Sequence, residues 1–146
     1  MENTINKLHL GIYAVVQSGS GELLLVEKTR GPYAGKLDLP GGKMEHGENF
    51  NESLSRELME EVGIRCGEFH FFNNMTTIVE FLDDGDNISM HHVGLVYRAI
   101  ISSTKDIRLD ISDEDVGGAK WVNVNTVSMA SLSPFAKNVV NSLLEK

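Results

Sequence analysis

The chain has 146 residues, of which 41% are hydrophobic and 23% charged, and its formal net charge is −8. That is enough for one domain with a real core and too little for two, and the composition fits neither a disordered tract nor a fibrous repeat. The acidic balance repels long polyanions, so no long nucleic acid is expected as a partner, whereas small anions accompanied by a divalent metal stay compatible.

No window is apolar for long enough to span a membrane. The opening "MENTINKLHL" lacks the basic flank and apolar segment of a signal peptide, so no membrane contact and a cytoplasmic location are expected. The single cysteine, Cys66, can form no internal disulfide and, alone, no zinc site of the usual kind. It reads as a small buried or half-buried apolar residue.

In chain order, "LHLGIYAVVQ" from Leu8 to Gln17 and "ELLLVEK" from Glu22 to Lys28 read as two strands joined by a turn at "SGSG". Gly and Pro punctuate "TRGPYAGK", Thr29 to Lys36, as a loop; Leu37 to Pro40 is a short extended piece before a glycine turn at Gly41 and Gly42. A helix then starts at a cap, Asn49 or Asn51, and runs to Val62, with Gly63 where a left-handed C-cap belongs. Phe50, Leu54, Leu58 and Val62 recur every four residues as its apolar stripe. Glu57, Glu60 and Glu61 fall in one arc beside that stripe, at the margin of the core.

Two long extended runs, "GEFHFFNNMTTIVEFL" and "ISMHHVGLVYRAII", flank the turn "DDGDN" and read as a hairpin. Within it Phe71, Phe72 and Phe81 are expected in the core. His91 and His92 face opposite ways, one inward and hydrogen-bonded, the other exposed. An acidic loop, "DISDEDVGGAK", precedes a last short strand, Trp121 to Val124, with Trp121 in the core. Ser133 and Pro134 then open a C-terminal helix to about Leu144. Strands with two helices well separated in sequence predict an α/β sandwich with a mixed sheet.

The chemistry concentrates in "LPGGKMEHGENFNESLSRELMEEVGI", Leu39 to Ile64. A diphosphate ester is a hard, multiply charged oxygen ligand, and its hydrolysis gains from a Mg2+ or Mn2+ that neutralises phosphate charge and activates water. Such an ion wants converging carboxylates, and positions i, i+3 and i+4 of a helix share one face. Three glutamates that close repel one another without a cation. Gly41 and Gly42, lacking Cβ atoms, let the backbone bend sharply toward such an ion.

The pattern Gly42, Glu48, Arg56, Glu57, Leu58, Glu60, Glu61, Gly63, Ile64 resembles a complete Nudix box, the signature of hydrolases that cleave nucleoside diphosphates linked to another moiety. Its seven fixed identities and two apolar positions arise by chance at one given start about once in a billion. The resemblance implies a Nudix α/β/α sandwich, a single domain over residues 1–146, and metal-activated water that hydrolyses a pyrophosphate bond in a small nucleotide or nucleoside diphosphate derivative.

By the same resemblance the metal set is the Gly41 carbonyl with Glu57, Glu60 and Glu61, with Glu60 and Glu61 as direct ligands. Glu57 is a ligand or the base that deprotonates water. Arg56 pairs with a carboxylate and orients it. Glu48 holds the loop against the helix or reaches the metal through water. The alternative base comes from the acidic loop, Asp113, Glu114 or Asp115, with Glu114 as the candidate. On the approach to the box, Arg30 and Lys36 can hold a phosphate and Tyr33 can stack on a base; Leu37 stands where many relatives carry an aromatic. No extra domain walls off a second moiety, so small substrates are favoured unless a homodimer completes the site. A nucleotide-binding sensor without catalysis is the competing reading. It predicts a damaged box, and this box is intact.

Overall fold

A computed structural model describes residues 3–145. Seven strands form two sheets: β1 (Thr4–Val15), β4 (Gly41–Lys43), β5 (Phe69–Asp83) and β6 (Asp86–Ala99) in the order β4-β1-β6-β5, and β2 (Leu23–Lys28), β3 (Leu37–Asp38) and β7 (Val116–Val122) in the order β3-β2-β7. The helices are α1 (Phe50–Val62) and α2 (Pro134–Leu144). Among the described residues no helix is long and apolar enough to cross a membrane.

The runs "IYAVV" and "LLLV" show why the layers form. Strand side chains alternate between faces, so an unbroken apolar run needs cover on both. Ile12, Ala14 and Val16 of the first run and Leu24 and Val26 of the second pack with Leu54, Leu58 and Val62 of α1. Tyr13, Val15, Leu23 and Leu25 point the other way, to Phe135, Ala136, Val139 and Val140 of α2. The result is the expected α/β/α sandwich, and its sheet is mixed because β1 runs parallel to β6 and antiparallel to β4. Leu54, Leu58 and Val62 are fully buried, each contributing about 1.5–3 kcal/mol.

Both helix starts follow the sequence signals. Asn49 caps α1 by accepting from Glu52 N–H at 2.9 Å, and Glu52 returns the bond to Asn49 N–H at 3.3 Å. Gly63 closes α1 in the left-handed region at φ 72°. Ser133 caps α2, with Pro134 in its first turn.

Four expectations change. β1 and β2 are not a hairpin: they touch where Leu24 N–H donates to Val16 C=O, then diverge into separate sheets. The glycine turn is itself a strand, β4, paired to β1 with Gly41 opposite Tyr13. The last strand begins at Val116 and ends at Val122, because Gly117 and Gly118 sit inside it where they had read as loop. Phe50 and Phe71 are 43% and 57% exposed, not core, and both lean on the ring of Tyr97. Phe72 and Phe81 are partly buried, Trp121 packs on the α1 side and Cys66 is buried, as expected.

Candidate active site

β4 and α1 build the acidic corner together. Gly41 has φ 138°, and a Cβ there would lie 2.1 Å from the Ile12 carbonyl oxygen, so only glycine lets β4 lie this close to β1. The freed Gly41 N–H donates to Glu61 Oε1 at 2.8 Å. Gly42 lies under the carboxylate of Glu57, and a Cβ there would stand 3.0 Å from Glu57 Oε1.

Arg56 organises the rest. Its Nε and Nη2 grip both oxygens of Glu48 at 2.7 and 3.0 Å, and its Nη1 donates to Glu57 Oε1 at 3.0 Å and Glu60 Oε2 at 3.3 Å. Nη2 also reaches the Lys43 carbonyl at 3.3 Å, which ties α1 to the end of β4. The fork grips Glu48 bidentately, a geometry Lys lacks. The hydrogen bonds from Arg56 hold the Glu48 carboxyl down at about 2.

Glu57 and Glu61 shift the opposite way. Burial raises the Glu57 carboxyl despite Arg56, and burial raises Glu61 well above the usual 4.5 despite the Gly41 N–H, with the charge of Glu57 adding to it. Glu60 stays half-exposed at 54% of its side chain. Glu61 is therefore deeper than the core margin at which the helix arc placed it.

This donor set fits a hard divalent cation. Carboxylate oxygens are its preferred ligands, and both the buried Glu61 and the half-buried Glu57 are raised in pKa by desolvation that the neighbouring cations do not offset. Among the described residues no three His, Cys, Asp or Glu side chains stand as a ready-made cluster. Arg56 draws Glu57 and Glu60 to itself, and holding an ion would turn them from the guanidinium.

A test of that charge imbalance follows from linkage. With its folded pKa raised above 4.5, Glu61 binds more protons in the native state, so its burden on stability grows as pH rises above 4.5 toward the folded value. In EDTA, Glu61→Gln is expected to melt higher than the parent chain at pH 8, with the gap closing toward pH 5, in thermal melts at both pH values. A variant that melts lower at pH 8 would show that the Glu61 charge is already compensated by the protein.

The acidic corner opens into a cleft of about 710 Å3. Arg30 lines it, but its guanidinium is paired with Asp115 and with Glu114 at 3.2 Å. Tyr33 also lines it, yet it is buried and its hydroxyl bonds His92 Nδ1 at 2.7 Å, with its ring stacked on the imidazole. Lys36 is not in the lining, since its ammonium donates to the Ala130 carbonyl at 2.7 Å. Glu114 points to solvent with 83% of its side chain exposed, and its neighbours Asp113 and Asp115 face the cleft instead. Asp113 spends one oxygen on the N–H groups of Asp115 and Val116.

Among the lining residues that sequence reasoning missed, three stand out. Lys28 ends β2 and has no ion-pair partner within the described residues, leaving an ammonium for an incoming anion. Asp38 is buried, accepting from Ser133 Oγ at 2.6 Å and Leu39 N–H at 2.8 Å. His9 lies on β1, in register with His92. For Lys28, its place at the end of β2, two residues before Arg30, was an available signal. For the others there was none.

The NUDIX domain family matches residues 7–143. The chain belongs to the Nudix family. It is thereby a hydrolase of phosphoric anhydrides. Similar proteins include the uncharacterized Nudix hydrolase YvcI of Bacillus subtilis, 27% identical over 90% of this chain and 76% of that one. The 8-oxo-dGTP diphosphatase of Escherichia coli is 32% identical over 49% of this chain and 55% of its own. The oxidized purine nucleoside triphosphate hydrolase of Danio rerio is 35% identical over 62% and 53%. The matches thus span about half of the last two proteins. Among solved structures, a MutT NUDIX hydrolase of Burkholderia pseudomallei superposes with TM-score 0.69 at 24% identity, covering 92% of this chain and 97% of that one. The NUDIX domain of Shewanella oneidensis NrtR, complexed with ADP ribose, gives 0.70 at 19%, covering 99% and 89%. At these identities the Nudix fold is what they share.

Proposed function

We propose that this Nudix protein is a Mg2+- or Mn2+-dependent pyrophosphohydrolase of a small nucleotide, acting as a single domain over residues 1–146. The observation that carries the reading is the corner itself, where the Gly41 N–H holds Glu61 and Arg56 holds Glu57 and Glu60 along one wall of a cleft.

When bound there by the Gly41 carbonyl, Glu57, Glu60 and Glu61, the cation supplies charge neutralisation and an activated water. The chain's own residues do the rest. Lys28 offers its ammonium to the polyphosphate, and Arg30 can exchange its carboxylate partners for phosphate. Glu57, whose carboxyl burial raises above its usual value and so makes a stronger proton acceptor, is the base of this reading. The loop alternative is carried by Asp113 or Asp115, which face the cleft, ahead of Glu114, which does not. Arg56 is a positioning residue that gathers Glu48, Glu57 and Glu60 on one guanidinium.

The activities of two relatives, on 8-oxo-dGTP and on oxidised purine triphosphates, favour a nucleoside triphosphate over a nucleoside diphosphate joined to a second moiety. The cleft volume falls within the ordinary range for one small ligand. A homodimer would enlarge it, and the chain's net charge of −8 repels long nucleic acid.

The test is a substrate panel with Mg2+ or Mn2+: canonical and oxidised nucleoside triphosphates, ADP-ribose, nucleotide sugars and dinucleoside polyphosphates, reading released phosphate or pyrophosphate. A nucleoside monophosphate released from a triphosphate with pyrophosphate is the expected result. Nucleotide binding without turnover across the panel would favour the sensor reading.

A further inference from the structure

We propose that His9 reads a nucleobase, donating and accepting hydrogen bonds at the edge of the substrate's ring. This rests on the nucleotide reading above and adds the residue that distinguishes the base from the phosphates.

The parallel pairing of β1 and β6 sets His9 beside His92. His92 is fully committed. Its Nε2 bonds Tyr13 Oη at 2.6 Å and its Nδ1 bonds Tyr33 Oη at 2.7 Å. The ring lies 5.5 Å from the ring of Tyr33 at 25° and 4.3 Å from that of Phe135 at 38°. Burial pushes its pKa down to about 3, so it is neutral at working pH. A neutral imidazole has one N–H, so one tyrosine donates to it and the other accepts from it. Nothing is left on His92 for a ligand. It is a fixed wall.

His9 has the opposite status. Its ring meets His92 edge-on, with centroids 5.0 Å apart and planes at 76°. It is half-buried and lines the cleft. Among the described residues no hydrogen bond reaches either of its ring nitrogens. Burial, then the charges of Lys43 and Lys28, lower its pKa and favour the neutral form.

One free donor and one free acceptor therefore face a cleft in which ammonium groups already await phosphate. A phosphate oxygen is served better by Lys28 or Lys43 than by a neutral imidazole. An edge that presents both a donor and an acceptor is what His9 complements, and nucleobases carry such edges. Half-burying these nitrogens without a partner has a cost that a bound base offsets.

The experiment has two arms. Side-chain imidazole correlations in 15N-histidine NMR would be followed with Mg2+ as GMP, AMP or inorganic pyrophosphate is added. The His9 signals are expected to move with the nucleotides and stay within noise with pyrophosphate, while the His92 signals change little. In parallel, His9→Ala is expected to raise KM for the best triphosphate by about tenfold with kcat within about threefold, and His9→Gln, which restores a donor and an acceptor, to recover part of the loss. Circular dichroism and melting temperature check that both variants fold. Unmoved His9 signals with every nucleotide, or an unchanged KM in His9→Ala, overturn the inference. If the wild type binds GMP or AMP through His9 yet hydrolyses nothing, the hydrolase reading falls and this one stands.

Discussion

Glu60→Gln is expected to lower kcat by about a thousandfold, the ~4 kcal/mol that one removed charge withdraws from a metal-assisted displacement. Folding should be untouched. The Glu60 side chain is 54% exposed, and its contact is an i,i+4 pair with Arg56 at 3.3 Å, a geometry that contributes at most about 0.5 kcal/mol on a helix surface. The same substitution should raise the concentration of Mg2+ needed for half-maximal rate. Steady-state kinetics across a Mg2+ titration, with thermal melts of both proteins, read all three quantities. Near-normal turnover at ordinary Mg2+ would remove Glu60 from the metal set.

Gly41→Ala should cost more in stability than any surface substitution. The position combines φ 138° with a site where a Cβ would stand 2.1 Å from the Ile12 carbonyl oxygen and 2.7 Å from Tyr13 Cα. Backbone strain of about 1–3 kcal/mol adds to an overpacking term of about 1–3 kcal/mol, because both obstacles are backbone. A domain of this size loses roughly 2–4 °C per kcal/mol, so a fall of about 10 °C or more is expected in a thermal melt. Activity should fall further, since β4 must move and the N–H that anchors Glu61 moves with it. An unchanged melting temperature would mean that β4 slides at little cost. Gly42→Ala offers a contrast: its nearest obstacle is the end of the Glu57 side chain at 3.0 Å, so it should spare stability and disturb catalysis.

The acidic corner was legible because it is local. Glu57, Glu60 and Glu61 lie within five residues, their helix had a readable cap at each end, and helical geometry alone decides that they share a face. The two layers were legible too, from apolar runs too continuous for a one-sided sheet. Residues assembled by pairing distant strands were not. His9 meets His92 only through the parallel register of β1 and β6, and Asp38 meets Ser133 only because α2 begins against β3. Phe50 misled because periodicity gives the direction of a side chain and not the extent of the sheet under it. Gly117 and Gly118 misled because glycine marks a loop and a deformed strand alike: Gly118 has φ 105° and its Cβ position is blocked by the Leu109 carbonyl at 2.9 Å. In the acidic loop, three neighbouring carboxylates alternate in direction, and spacing alone could not pick the two that turn inward.

The parallel register of β1 with β6 also fixes an order of events when the chain is made. β1 leaves the ribosome first but cannot take its place in the sheet until Asn87 to Arg98 has been synthesised, and Asp38 waits longer still, for Ser133. A nascent chain that already holds every residue of the box therefore has no cleft. Its unpaired apolar strands stay exposed until those distant partners emerge, the condition under which chains of high contact order fold slowly and associate wrongly. The cleft is thus completed only after Ser133 has been made, long after the box that gives it its chemistry.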